Sequence, residues 1–205
     1  MTITEALTER FGAFIIIVLG ETLTGVVAGL SSRPVGALTL AVGLVAVVVG
    51  FGAWWTYFDF AGQRQPGPER SASVRWIVGH LPLTAAVAAM GAAMVSLVDH
   101  AHDGRTPAAA AWVLCAGTAV VLGATVLLAT TLRTWNRDRA VYRVLVPACT
   151  VSAVACLALG AARPAPLLLA LALVVLLGIP WGLAVARRME DATDAPQAPA
   201  ESRDP

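Results

Sequence analysis

The sequence predicts an all-α protein, a polytopic bundle of about six transmembrane helices. The first supporting observation is composition. Of the 205 residues, 58% are hydrophobic and 13% are charged, whereas roughly a quarter are charged in an ordinary soluble domain. The mean hydropathy of +0.75 leaves too little polar surface to cover a soluble globule. The apolar residues also form runs of about the 20 residues that cross a bilayer. We therefore expect the partner of the chain to be the lipid bilayer.

The first three apolar runs are separated by polar connections. Residues 11–30 follow an acidic stretch and form a run too long for the core of a secretory signal. Residues 35–58 come after a short turn that contains Pro34, as adjacent antiparallel helices require. Residues 74–98 follow a loop rich in Arg, Gly and Pro. Each run is long enough to be one membrane span.

The last three runs are residues 108–132, 144–162 and 165–185. Only Arg163 and Pro164 separate the final two, so a single re-entrant hairpin is an alternative there. Their combined length of about forty residues favours two crossings. The six runs define one transmembrane domain, residues 1–188, followed by a polar, Pro-rich tail.

The distribution of arginine predicts the orientation. Arginine-rich short loops stay in the cytoplasm, and eleven of the arginines fall on the side of both termini: Arg10, Arg64, Arg70, Arg75, Arg133, Arg137, Arg139, Arg143, Arg187, Arg188 and Arg203. The other side has three, Arg33, Arg105 and Arg163. An aromatic belt agrees with the first side: Trp54, Trp55, Tyr57, Trp76, Trp135 and Trp181. We expect both termini to be cytoplasmic, and residues 189–205 to form a disordered cytoplasmic tail.

Several classes of function are disfavoured. A balance of 14 basic and 13 acidic residues argues against a partner that is a nucleic acid. The sequence shows no nucleophile and base pair, so an enzyme is the least favoured class and no catalytic residue, cofactor or metal is predicted. The loop from Asp99 to Asp103 holds two His and two Asp that could ligate Zn or Cu, although a solvated turn is favoured. Cys115, Cys149 and Cys156 are expected to be small apolar packing residues.

Ionisable groups inside the predicted spans occur in the first half of the chain. Glu21 lies ten residues after Phe11, about 15 Å into a layer of roughly 30 Å. Gly25 is on the same helical face, so we expect Glu21 to face the bundle interior. His80 lies about 9 Å inside the third span, and Asp59 lies where the second span meets the cytoplasm.

These positions lead to a hypothesis for the functional centre. Glu21 and His80 differ in depth by about 6 Å, which two side chains or a bridging water can span. We expect them to form a polar centre, with Asp59 and Arg10 nearer its cytoplasmic mouth. The alternative is that Glu21 is protonated and only bonds a neighbouring helix. Because such groups are costly in a membrane, either role requires a partner.

Glycines predict where helices approach closely. Gly25 and Gly29 form a small-xxx-small pair on the first span, and Gly43 and Gly50 repeat at a spacing of seven on the second. We expect these four glycines to serve in helix packing. These small-residue faces also favour self-association, so a homo-oligomer is a possible form of the protein.

Three segments resemble a known family. ERFGxFxIxVLGE at residues 9–21 is similar to the signature helix of the bacterial low temperature requirement protein A family. WWxYFD at residues 54–59 and GHLPL at residues 79–83 resemble the family's next two blocks in order and spacing. Glu21, Asp59 and His80 all fall inside these segments. The resemblance implies a multi-pass protein of the bacterial inner membrane, associated with growth at low temperature.

The resemblance also implies a missing part. Family members are longer and have an N-terminal membrane half with a Glu-Leu-Phe-Phe-Asp-like motif, which has no counterpart in this chain. We expect either a short form whose partner supplies that half or a truncated gene product. The leading functional expectation is a transporter-like or channel-like bundle for protons, ions or a small solute. The alternative is a structural or interaction subunit of the membrane, without transport activity.

Overall fold

The computed structural model describes residues 3–31 and 36–193. They form six α-helices: α1 (Glu5–Ser31), α2 (Ala37–Phe60), α3 (Arg70–Asp99), α4 (Ala108–Ala129), α5 (Arg139–Ala162) and α6 (Pro166–Thr193). Each of the six is long and apolar enough to cross a membrane. The predicted all-α transmembrane bundle is therefore confirmed.

Five of the six described helices extend past the predicted spans, mostly at their arginine-rich ends, whereas α4 ends at Ala129 rather than residue 132. α1 begins at Glu5 rather than residue 11, and α3 begins at Arg70 rather than residue 74. A helix does not end at the hydrocarbon boundary, because its backbone hydrogen bonds continue through polar residues. Hydropathy marks only the apolar middle of each helix.

The end of α6 changes the prediction for the tail. Residues 189–193 are helical rather than disordered, and Arg187 forms ion pairs with Glu190 at 2.8 Å and with Asp191 at 3.2 Å. Pairs at this spacing stabilise a helical turn. The remaining part of the predicted tail, residues 194–205, lies outside the described residues.

The last two apolar runs form two separate helices and not the alternative, a single re-entrant hairpin. α5 has 24 residues and α6 has 28, so each is long enough to span. Between them Arg163 adopts a left-handed conformation with φ 52° and ψ 57°, and its N–H donates to the Leu159 carbonyl at 3.0 Å. This turn ends α5, and α6 begins two residues beyond Pro164.

The helices form a ring in the order α1, α3, α4, α5, α6, α2, which closes because α2 packs against α1. α2 and α4 also touch across the centre. α4 is the most enclosed helix. In its apolar 18-residue stretch 56% is buried, whereas in that of α1 22% is buried. Most of α1 thus faces away from the described bundle.

Glycines set the closest approaches. A Cβ on Gly91 would lie 2.5 Å from Thr22 Oγ1, so α1 and α3 can meet there only because the glycine has no side chain. A Cβ on Gly117 of α4 would lie 2.5 Å from Met90 Cγ. Such contacts drive helix association in lipid, where hydrophobic burial between helices gives no advantage.

The predicted packing glycines differ among themselves. A Cβ on Gly25 or Gly29 would lie 3.2 Å or 3.6 Å from Val95 of α3, and one on Gly43 would lie 2.9 Å from Leu30 of α1. At Gly50 the structure differs from the predicted close packing, because no atom would lie within 4 Å of its Cβ. There the neighbouring side chains leave an apolar cavity of about 170 Å³ instead of a tight contact.

Candidate functional site

His80 is the most enclosed ionisable side chain in the middle of α3, with 1% of its surface exposed. Its Nδ1 lies 2.7 Å from the Trp76 carbonyl oxygen, and its Nε2 lies 2.9 Å from the Tyr57 hydroxyl. A carbonyl oxygen only accepts hydrogen bonds, so Nδ1 carries the hydrogen. In the neutral ring Nε2 therefore accepts the Tyr57 O–H. The hydrogen bonds thereby assign one tautomer of His80.

Aromatic rings surround this His80–Tyr57 pair. The ring centroids of Phe11 and Trp76 lie 4.6 Å and 4.3 Å from the imidazole centroid. Phe11 also meets Trp76 edge to face at 4.9 Å. These contacts enclose the imidazole between α1 and α3.

Local sequence explains the geometry. Trp76 and His80 are four residues apart and therefore lie on one face of α3. Gly79 allows α4 to approach, because a Cβ there would lie 2.9 Å from Leu128 Cδ2. On the other side, the Cβ position of Gly12 lies 3.6 Å from the ring of Phe58.

The three family-like segments converge at this point. Residues 9–21 supply Phe11, residues 54–59 supply Tyr57, and residues 79–83 supply His80 itself. These contacts join α1, α2 and α3, the first three helices of the chain. The segments therefore build one buried site rather than three separate ones.

Asp59 lies two residues after Tyr57, near the end of α2, and is half-buried. Its Oδ2 accepts a hydrogen bond of 2.6 Å from Trp181 Nε1 of α6. Its backbone carbonyl accepts from the guanidinium groups of Arg64 at 2.9 Å and Arg188 at 3.1 Å. Charge-assisted bonds of this kind are stronger than neutral ones. They fasten the end of α2 to α6 and to the loop after α2.

Arg64 also extends this network to α5. Arg64 Nη1 lies 3.2 Å from Asp138 Oδ2 and donates at 3.2 Å to the Tyr142 hydroxyl. Tyr142 in turn donates to the Phe60 carbonyl at 3.3 Å. Four elements therefore meet at the end of α2: the α2–α3 loop, the start of α5, α6 and α2 itself.

The sequence did not single out these partners. The sequence places Arg64, Arg188 and Trp181 only on a membrane side, and no sequence pattern marks Asp138 or Tyr142. The available signal was coarse: arginines and aromatics concentrate at one face. This signal predicts which membrane face the residues share, but it does not predict which side chains bond to each other.

Glu21 lies in a different setting from the one we expected. It is exposed and lines a groove of about 440 Å³ between α1 and α3, with Gly25 and Gly91. The buried face of α1 carries Thr22, and one residue along a helix is a rotation of about 100°. The expectation that Glu21 faces the interior of this bundle is therefore wrong.

The expected polar centre is correspondingly changed. Both ring nitrogens of His80 are bonded to Tyr57 and Trp76, so the structure does not bring Glu21 to His80. Arg10 is exposed on α1. Within residues 3–31 and 36–193, Asp59 takes its partners from Arg64, Arg188 and Trp181 and not from Arg10.

The histidine-containing loop after α3 makes one contact within its own segment and one with α2. His100 Nδ1 lies 2.8 Å from the Ser96 carbonyl, and His102 Nε2 lies 3.3 Å from the Thr39 hydroxyl of α2. In the described part of the chain no group of three or more His, Cys, Asp or Glu is placed to hold a metal ion. Cys115, Cys149 and Cys156 are buried and free.

Six apolar helices with a buried His80–Tyr57 pair and a charged cluster at one end define an integral, multi-pass membrane protein. The family model described as bacterial low temperature requirement A protein (LtrA) matches residues 4–179. The chain belongs to this family, and the resemblance seen in the three segments is confirmed. No curated protein and no solved structure matches the chain.

Proposed function

We propose that this protein moves protons across the membrane and that the His80–Tyr57 pair carries the proton. The observation that supports the proposal is the 2.9 Å contact between a fully buried imidazole and a buried hydroxyl. Imidazole is the side chain that changes charge near neutral pH. An ionisable group inside a membrane span is costly, so its retention favours a function.

The geometry supports both protonation states. In the neutral state Tyr57 donates to Nε2. When a proton reaches Nε2, the hydroxyl rotates and its oxygen accepts the new N–H, while Nδ1 continues to donate to the Trp76 carbonyl. The same heavy atoms form the two hydrogen bonds in each state: Nδ1 and Nε2 of His80, the Tyr57 hydroxyl oxygen and the Trp76 carbonyl oxygen. The proton can therefore load and leave without repacking of the bundle.

Access from the arginine-rich side leads past Asp59. This residue follows Tyr57 by two positions and is half-buried within the network of Arg64 and Arg188. On the far side of His80, the Thr84 hydroxyl is the next polar group along α3 and donates to the His80 carbonyl at 2.9 Å. We infer that the proton enters and leaves along this line. The excess of arginine at the Asp59 side leads us to propose that it is cytoplasmic, with the protein in a bacterial inner membrane.

The test is proton flux in proteoliposomes of purified protein, measured with an enclosed pH-sensitive dye under a potassium diffusion potential. We expect flux above that of protein-free vesicles, loss of flux in His80→Gln and a decrease in Tyr57→Phe. His102→Gln is the matched control, because His102 lies in the loop after α3. Flux equal to protein-free vesicles, or a His80→Gln variant as active as the unchanged protein, would contradict the proposal.

A second candidate is a structural or interaction subunit of the membrane, without transport activity. It is favoured by one observation: Glu21, the acidic residue in the middle of α1, lines an outward groove instead of the interior. In this case the His80–Tyr57 pair would only join α2 to α3. The vesicle experiment separates the candidates, since a subunit of this kind gives no flux in any variant.

A further inference from the structure

A groove of about 280 Å³ lies between α2 and α6, on the outside of the bundle. Its lining includes Phe51, Gly52 and Trp55 of α2 and Leu177, Gly178 and Trp181 of α6. Phe51 and Trp55 are about half exposed, so the groove opens sideways, toward the lipid tails. The Thr56 hydroxyl in the lining donates to the Gly52 carbonyl at 2.8 Å. The groove therefore offers its occupant an apolar surface.

The groove begins at the aromatic belt and is about as deep as one leaflet. Trp55 and Trp181 meet edge to face with ring centroids 5.7 Å apart, and tryptophans of a membrane protein lie at the level of the lipid headgroups. From Asp59 to Val48, which also lines the groove, α2 rises by about 16 Å. This distance is about half of a hydrocarbon layer of roughly 30 Å. The groove thus has the length that one acyl chain occupies.

Two opposite charges lie side by side above the mouth of the groove. Asp59 follows Trp55 by four residues and continues the groove-lining face of α2. Arg188 follows Trp181 by seven residues and continues the corresponding face of α6. Arg188 donates to the Asp59 backbone carbonyl at 3.1 Å, and its guanidinium lies 4.9 Å from the centroid of the Phe60 ring. These contacts hold the guanidinium beside Asp59 without a bond to the Asp59 carboxylate.

Both charges keep bonding capacity for a ligand. Arg64 and Arg187 nearby are paired with other carboxylates, whereas Asp59 and Arg188 form no ion pair with any residue that the structure describes. Asp59 Oδ2 accepts from Trp181 Nε1 at 2.6 Å, and among the same residues Asp59 Oδ1 and Arg188 Nη1 have no partner. A molecule at the mouth of the groove can therefore bond a carboxylate oxygen and a guanidinium N–H at once.

We propose that the groove binds one phospholipid whose zwitterionic headgroup carries a primary ammonium. One acyl chain lies between α2 and α6, the phosphate bonds Arg188, and the ammonium bonds Asp59. A guanidinium matches the geometry of phosphate oxygens, and charge-assisted hydrogen bonds to a carboxylate are strong. A glycerol headgroup brings no cation to Asp59, and a quaternary ammonium has no N–H to donate. The site does not depend on the His80–Tyr57 pair, so it stands whether or not proton flux is found.

Lipid selectivity tests the two charges. Purified protein is titrated with dioleoyl phosphatidylethanolamine, phosphatidylcholine or phosphatidylglycerol, and the bound lipid is counted by native mass spectrometry. We expect the ethanolamine lipid to bind about tenfold more tightly than the other two. Asp59→Asn should remove this preference and Arg188→Gln should weaken binding, whereas Arg143→Gln, exposed on α5, is the matched control. Equal affinity for all lipids, or a preference that survives Asp59→Asn, overturns the proposal.

A second variant tests the groove without removing an existing contact. A Cβ on Gly178 would meet no atom within 4 Å, so Gly178→Leu fills the groove instead of displacing a neighbour. Gly123 of α4 has the same open space, which makes Gly123→Leu the matched control.

The measurement for these variants is photo-cross-linking in vesicles. The vesicles contain phosphatidylethanolamine with a diazirine in its acyl chain, and the labelled peptides are identified by mass spectrometry. We expect label on residues 48–56 and 174–181, reduced several-fold by Gly178→Leu and unchanged by Gly123→Leu. Label spread evenly over all helices, or the same labelling of these segments in both variants, would show that the groove holds no lipid chain.

Discussion

Trp181 Nε1 donates a 2.6 Å hydrogen bond to Oδ2 of Asp59, across 122 positions in the chain. The bond joins α6 to the end of α2 and lies beside the two arginine bonds to the Asp59 carbonyl. It closes the ring of helices at the arginine-rich side. The bond is a polar link between α2 and α6, which also pack closely where Gly52 faces Leu177.

Trp181→Phe should lower the stability of the protein. The substitution keeps an aromatic ring and removes the N–H, and loss of a hydrogen bond to a charged group costs about 1.5–3 kcal/mol. Thermal unfolding in detergent measures the effect. Trp55→Phe is the control, because Trp55 is 49% exposed. An equal loss in both variants would show that the bond to Asp59 contributes nothing specific.

Tyr57→Phe should destabilise the protein by leaving Nε2 of His80 buried without a partner. An unsatisfied buried polar group costs roughly 1–3 kcal/mol. In a His80→Leu background the same substitution should have little effect, since the partner is already gone. The coupling energy of this double-mutant cycle is the measurement. Additive effects of the two substitutions would contradict a direct bond.

Gly91→Ala should destabilise the contact between α1 and α3. The new Cβ would lie 2.5 Å from Thr22 Oγ1 and 3.1 Å from Thr22 Cα, and the backbone atom cannot move away alone. Overpacking of this kind costs about 1–3 kcal/mol. Gly123→Ala is the control, because nothing lies within 4 Å of its Cβ. That control should be neutral or up to about 1 kcal/mol more stable.

Arg64→Ala should cost more stability than Asp138→Ala. The ion pair between them is partly exposed, at 27% and 30%, so its own contribution is about 0–1 kcal/mol. Arg64 additionally donates to the Asp59 carbonyl and to the Tyr142 hydroxyl. The comparison of unfolding temperatures checks this order. A larger loss in Asp138→Ala would show that the ion pair outweighs the other bonds.

A reporter that fluoresces only in the cytoplasm should be active when fused after the last residue and inactive when inserted in the loop at Gly104. The prediction follows from the eleven arginines on the side of the termini against three opposite. Gly104 is exposed, with no atom within 4 Å of a Cβ, so the loop has room for an insertion. Fluorescence from the insertion at Gly104 and none from the fusion after the last residue would show that the orientation is the opposite one.

Much of the fold could be predicted from the sequence because span length and hydropathy are local properties. The six runs correspond to the six helices, with boundaries shifted by up to several residues. The site was predicted in part. The cost of placing an ionisable group in a membrane identifies His80 and Asp59. Tyr57 has an uncharged hydroxyl, so the sequence predicts it only as part of the aromatic belt.

The sequence by itself determined that this chain crosses a membrane, how many times, and which residues are costly to bury there. Only the tertiary structure decided which face of each helix turns inward. In lipid both the inside and the outside of a bundle are apolar, so hydropathy carries no signal for rotation about the helix axis, and close packing makes the choice. Packing at Gly91 and Thr22 therefore turns Glu21 outward, while the contact of α2 with α3 brings Tyr57 to His80.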